Sequence, residues 1–163
     1  MAYIYRMKMR LISVGRPHEP SIKDAVDDFT HRISKYYPVE WLLLPPLKQA
    51  SVLPEKEIKK KEAELILQQL SKDDYLVCLD EKGKTFTSEK LAGLLQALAN
   101  ESKKQVIFLI GGAFGVDETV LKRSDLVWSI STLTFPHQLV RLILAEQLYR
   151  ACSILRNEKY HHA

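Results

Sequence analysis

Apolar residues in this chain fall into two kinds of grouping. Short, nearly continuous runs predict buried strands at residues 7–14 (MKMRLISV), 39–44 (VEWLLL), 75–79 (YLVCL), 105–110 (QVIFLI) and 125–129 (DLVWS). Between them, apolar positions recur at helical spacing. Ile22, Ala25, Val26, Phe29 and Ile33 mark a helix over 21–36, with Ser21 as N-cap and Asp24 three residues on. Pro38 stops it, and Pro45 and Pro46 halt the second strand. A charged helix over 54–70 has Ile58, Leu65 and Leu67 as its apolar points, with Ala63 and Ile66 between. Ser88 caps a helix over 89–98, and Asp117 caps a short one ending at Arg123. Residues 80–84 read as a polar turn after the third strand. Strand and helix alternate, and the strands lack polar alternation. That pattern predicts an α/β fold with a mostly parallel sheet and helices on both faces. No repeat or linker divides the chain, so 1–163 reads as a single domain.

The last helix, over 136–156, carries the most information. Pro136 suits a first helical position, where its missing N–H is no loss. Val140, Ile143, Leu144, Leu148, Ala151 and Leu155 fall on one face. Leu142 and Tyr149 fall on the far side, beside a polar stripe of Glu146, Arg150, Ser153 and Asn157. One apolar face is enough to dock on a sheet. A second apolar side suggests burial against something else, such as a second subunit.

Composition narrows the class. The hydrophobic fraction of 46% and charged fraction of 27% are those of a globular protein. The net charge of +4 is a mild push toward acidic partners, and Arg6, Lys8, Arg10 and Arg16 all precede the first acidic residue, Glu19. Lys59, Lys60 and Lys61 read as a solvated helix face, with an RNA-facing patch as the other reading. Cys78 and Cys152 lack metal-ligand spacing and read as buried thiols in a reducing compartment. Basic residues interrupt the first sixteen positions, which argues against a signal peptide, and no apolar run reaches the roughly 18 residues of a membrane span. These features place the protein in the cytoplasm.

Three loops follow the carboxyl ends of predicted strands: residues 79–84, 111–116 and 129–136. Open parallel sheets bind ligands outside those ends. Gly111, Gly112 and Gly115 form a G-G-x-x-G loop before an acidic N-cap, so a ligand can approach the backbone closely. A tight structural turn explains the same residues. The loop lacks the ending of a Walker A motif and the spacing of a dinucleotide fingerprint. His137 reads as a base or ligand, or as a packed residue at a helix start. Arg141 and Arg150 are candidates for phosphate, although Glu146 and Arg150 also form an i,i+4 pair. The tail brings Tyr160, His161 and Lys159 together, groups suited to proton transfer and phosphate contact. No zinc spacing and no Gly-x-Ser-x-Gly elbow occurs.

The combination L-I-G-G-x-x-G (109–115), L-T-F-P-H-Q-L-V-R (133–141), A-E-Q-L-Y-R-A (145–151) and Tyr160-His161 resembles one family. It is the bacterial large-subunit (23S) ribosomal RNA pseudouridine N3-methyltransferases, small members of the SPOUT class. The opening M-K-x-x-L-x-x-V-G (7–15) matches as well, which leaves residues 1–6 as an extension. The resemblance implies a SPOUT-type α/β knot, in which the C-terminal part threads a trefoil. It implies a homodimer, S-adenosylmethionine as cofactor, no metal, and ribosomal RNA in the assembled ribosome as partner. Carried over by motif, cofactor contacts fall on Leu79, Gly111, Ile130, Ser131, Thr132, Leu133, Thr134 and Phe135, with Gly112 and Gly115 shaping the pocket. His161 becomes the base and Tyr160 shapes or hydrogen-bonds the target. Arg150 and Arg141 hold RNA phosphate or the uracil carbonyls, Glu146 orients Arg150, and His137 joins the RNA contacts. The His162-Ala163 ending departs from the family's basic tail. Two other readings stay open: a SPOUT methyltransferase for another ribosomal or transfer RNA base, and a non-catalytic RNA- or ribosome-binding relative. A nucleotide-binding oxidoreductase rests on the glycine loop alone.

Overall fold

A computed structural model describes residues 6–162. Most of the extension expected at 1–6, and Ala163, lie outside the described residues. Five strands form one sheet: β1 (Lys8–Val14), β2 (Val39–Leu44), β3 (Tyr75–Lys84), β4 (Gln105–Ile110) and β5 (Leu126–Trp128). Their order is β2-β1-β4-β3-β5, and every neighbouring pair is parallel. Five helices connect or follow them: α1 (Pro20–Ser34), α2 (Glu55–Gln68), α3 (Ser88–Asn100), α4 (Glu118–Arg123) and α5 (His137–Leu155).

Both faces of the sheet are covered, which explains the uninterrupted apolar runs. In β4, Val106, Phe108 and Ile110 point into the core shared with α3 and α5, while Ile107 and Leu109 point into the core shared with α2 and α4. The connections through α1 and α3 step one way along the sheet, and those through α2 and α4 step the other way. Changing face with direction keeps the crossover hand constant. As a result, neighbouring strands β1 and β4 send their carboxyl ends to opposite faces, which opens a crevice between them.

Helix α5 lies between α1 and α3. Its buried stripe is Arg141, Leu144, Ala145, Leu148, Ala151, Cys152 and Ser153. Val140, Ile143 and Leu155, expected on that stripe, are only half-buried. Two flanking helices rotate the helix away from the face that periodicity alone selects. Tyr149, on the far side of the helix, packs on Phe29 and Tyr160 of its own chain, with ring centroids 6.0 and 4.7 Å away.

Local punctuation differs in four places. Helix α1 starts at Pro20 with Glu19 at the N-cap position, and Gln138 of α5 accepts the Glu19 N–H at 3.0 Å. Ser21 is therefore not the cap. Thr87, not Ser88, caps α3 by accepting the Lys90 N–H, and the freed Ser88 hydroxyl bonds Gln147 Oε1 at 2.6 Å. Pro136 occupies the N-cap position of α5, one residue before the first helical one. The predicted polar turn at 80–84 continues β3, because Lys84 re-pairs with Trp128 of β5 after an irregularity. Cys78 and Cys152 are buried free thiols whose pKa burial pushes up to about 12.

Candidate functional site

The parallel sheet gathers the loops after β3, β4 and β5 at one edge. Leu79 is half-buried at the last regular pair of β3 with β4. Gly111 and Gly112 are buried, and Gly112 pairs back onto Gly115 in a tight reversal. Gly115 sits at φ +85°, a conformation that favours glycine. A Cβ on Gly111 would lie 2.6 Å from Val116 Cγ2, so this loop packs too closely for any side chain there. In the following loop, Ser129 Oγ donates to the Ser131 carbonyl, and Ser131 Oγ accepts the Leu133 N–H at 3.0 Å. Ile130, Ser131 and Phe135 are half-buried, while Thr132, Leu133 and Thr134 are exposed. Backbone N–H groups of Thr132 and Thr134 have no partner among the described residues. Apolar walls beside free backbone groups suit a neutral heteroaromatic base.

A second cluster forms where the tail folds back on α5. Glu146 is its hub. Its Oε1 accepts from Arg150 Nε at 3.0 Å, from Arg150 Nη2 at 2.5 Å and from the Tyr160 hydroxyl at 3.1 Å, and its Oε2 accepts from Gln147. The Arg150 guanidinium also lies over the Tyr160 ring, 4.8 Å from its centroid. His161 Nδ1 is 3.2 Å from Arg150 Nη1, and its Nε2 is 2.8 Å from Glu89 Oε1. An arginine can only donate, so Nδ1 is the acceptor and Nε2 carries the proton toward Glu89. Burial, then the Glu146 carboxylate, raises the Tyr160 pKa, so its phenol stays protonated. The hydrogen bond that Arg150 donates to Glu146 raises the pKa of Arg150, and the one that Glu89 accepts from His161 lowers that of Glu89. All four residues expected to act together, Glu146, Arg150, Tyr160 and His161, meet here. Glu89 was not foreseen, and nothing in the sequence pattern links it to a residue 72 positions away.

The structure places the other two expected RNA contacts, Arg141 and His137, apart from this cluster. Arg141 is 1% exposed. Its Nε donates to Ser13 Oγ at 2.9 Å and its Nη1 to the Arg16 carbonyl at 2.8 Å, with His18 Nδ1 beside it. A guanidinium held inside the fold is not presented to a phosphate backbone. His137 is half-buried near it, and burial and Arg141 both lower its pKa below 6.5. A neutral imidazole brings no charge to a phosphate. Of the three predicted RNA contacts, only Arg150 remains on an accessible cluster.

Gly15 makes the Arg141 arrangement possible. It sits at φ +143°, and a Cβ there would lie 3.1 Å from Arg141 Nη2. Gly15→Ala is expected to cost about 2 kcal/mol through backbone strain and the displaced guanidinium. Urea unfolding should show this as a lower midpoint with an unchanged slope.

An open parallel α/β sheet with glycine-lined loops at its carboxyl edge has the architecture of an α/β protein that binds ligands outside its strand ends. A family model described as "Predicted SPOUT methyltransferase" matches residues 7–161. The chain belongs to the SPOUT methyltransferase family and is an enzyme of that class. It is 44% identical over 156 residues to the Ribosomal RNA large subunit methyltransferase H of Flavobacterium johnsoniae, covering 96% of this chain and 99% of that one. With the protein of the same name from Parabacteroides distasonis it shares 42% identity over the same spans. A crystal structure of a probable methyltransferase from Bordetella pertussis shares the fold, with a TM-score of 0.56 at 14% identity, over 89% of this chain and 94% of that one. The SPOUT and parallel α/β readings of the sequence hold.

Proposed function

We propose that this protein transfers a methyl group from S-adenosylmethionine to N3 of a pseudouridine in large-subunit ribosomal RNA. In this reading it works in the cytoplasm, as a homodimer, on the assembled ribosome. The observation that carries the reading is the tail cluster, which joins a proton acceptor, a phenol and a guanidinium beside the N-terminus of α3. The names of the relatives above supply the substrate class. The C-terminal trefoil knot belongs to the same reading.

The loops fit the cofactor. Leu79, Gly111 and residues 130–135 would hold it, with Gly112 and Gly115 keeping the backbone close. When bound, S-adenosylmethionine supplies a methyl group on a positively charged sulfur. The chain's own residues must orient the imide and take its proton. His161 is the acceptor, through Nδ1. That lone pair now faces Arg150, so proton acceptance requires Arg150 to turn away, toward the uracil carbonyls or a phosphate. Glu146 holds Arg150 until then. Tyr160, kept as a phenol, donates a hydrogen bond and is not a base.

Exposed apolar groups support the second subunit. Leu133 is 67% exposed, Phe114 46% and Leu139 37%. Leu133 and Leu139 lie within six residues of each other around the start of α5, where a second copy would cover them.

The test is transfer of labelled methyl to ribosomes, isolated large subunits and free RNA from cells lacking the modification. Label on one pseudouridine of assembled ribosomes is expected. His161→Ala should lower the rate at least about 100-fold while cofactor binding persists by calorimetry. Label only on free or transfer RNA would discard the ribosomal assignment, and full transfer by His161→Ala would remove the base assignment.

A further inference from the structure

The tail cluster is bonded at both of its ends to the first turn of α3. Thr87 caps that helix, which puts Ser88 and Glu89 at its first two positions. The Ser88 hydroxyl donates to Gln147 Oε1 at 2.6 Å, and Gln147 Nε2 donates to Glu146 Oε2 at 2.8 Å. One residue on, Glu89 Oε1 accepts from His161 Nε2 at 2.8 Å. Between these ends lies Arg150, bonded to Glu146 on one side and 3.2 Å from His161 Nδ1 on the other. Two consecutive residues of one helix therefore hold both partners of Arg150 from behind. When Arg150 turns toward the substrate, Glu146 and His161 keep their places.

Each neighbour of His161 dictates a proton position. A guanidinium only donates, so it requires a lone pair at Nδ1. A carboxylate only accepts, so it requires the proton at Nε2. The two requirements agree while the cluster is closed. Once Arg150 leaves, Glu89 alone of the two still enforces the form that keeps Nδ1 free to take a proton. Its position suits the task. It lies at the positive end of a helix, and accepting from His161 holds its carboxyl below the ordinary range, so it stays an anion. That charge then also faces the imidazolium that forms.

We propose that Glu89 is the positioning residue for His161: it fixes the tautomer that accepts the proton and balances the charge that results. The inference rests on the reading of His161 as the base. The imide proton stays on Nδ1 until solvent removes it, and none passes to Glu89, which acts through His161 alone.

Two measurements test it. Methyl transfer to ribosomes lacking the modification reads the rate. Nitrogen NMR of histidine-labelled protein, at a pH where the imidazole is neutral, reads the tautomer, with His161→Ala identifying the signal. Glu89→Gln should lower kcat on the order of 10- to 100-fold and leave KM and cofactor affinity unchanged. Glu89 is half-exposed, so the variant should fold and melt as wild type does. The tautomer is compared in an Arg150→Ala background, which reproduces the departure of Arg150. With Glu89 present, His161 should stay protonated at Nε2. With Glu89→Gln added, whose amide can donate as well as accept, the Nδ1–H form should appear. An unchanged rate in Glu89→Gln would overturn the role of Glu89 and leave His161 as the base. A lower rate with an unchanged tautomer would overturn it too, because Glu89 would then only clip the tail. Full transfer by His161→Ala would overturn the base reading, and the role of Glu89 with it.

Discussion

Replacing Gly83 by alanine is expected to destabilise the protein more than any other single methyl group added to it. A Cβ there would lie 2.6 Å from both the carbonyl carbon and the oxygen of Val127, and 2.7 Å from the Trp128 amide nitrogen. These atoms belong to the backbone of β5, so no side chain can rotate to relieve the clash. The sheet must open between β3 and β5, where Lys84 pairs with Trp128. Trp128 is buried and stacks on Phe86 at 5.0 Å, and β5 leads directly into the loop at 130–135. A cost of about 3 kcal/mol or more follows, at or above the upper end for overpacking. For a chain of this size that lowers the melting temperature by roughly 10 °C. Thermal unfolding followed by circular dichroism checks it. Gly93 is the matched control, because a Cβ there meets nothing within 4 Å. Gly93→Ala should be neutral or slightly stabilising, since alanine favours a helix by about 1 kcal/mol over glycine.

Glu146→Gln is expected to slow catalysis strongly without unfolding the chain. The carboxylate accepts three hydrogen bonds at one oxygen and one at the other, and it neutralises Arg150. An amide keeps the size but loses the charge and some of the acceptor capacity. Arg150 then loses its anchor, and Tyr160 and His161 lose the group that positions them. A fall in kcat of about 100-fold is expected, with cofactor affinity changed little. Single-turnover methyl transfer and calorimetry on the same preparation separate the two. Equal losses in both would show that Glu146 supports the fold and not the chemistry. Because Glu146 acts through its neighbours, Glu146→Asp should leave the rate low too, since the shorter side chain cannot reach Tyr160 and Arg150 together.

Much of this architecture was legible along the chain. The strand runs were found within a residue or two, except that β3 extends to Lys84. Continuous apolar runs identify strands buried on both faces, whatever the order in the sheet. The glycine loop and the loop at 130–135 were visible because turn chemistry is local. Helix starts were less legible. Ser21 and Ser88 both suit an N-cap, yet Glu19 and Thr87 stand there. A cap is chosen by where the chain enters the helix, and packing sets that.

The sequence by itself determined the alternation of elements, the α/β class, the family and the four residues of the tail cluster. Each follows from short-range spacing or from motifs read in line. Only the tertiary structure decided that Arg141 is an internal strut, because its partners Ser13, Arg16 and His18 are more than 120 positions away. It also decided that Tyr149 packs on its own tail and that Glu89 holds His161. A charged residue has no in-line mark of burial, since its environment is built by strands and helices distant in the chain.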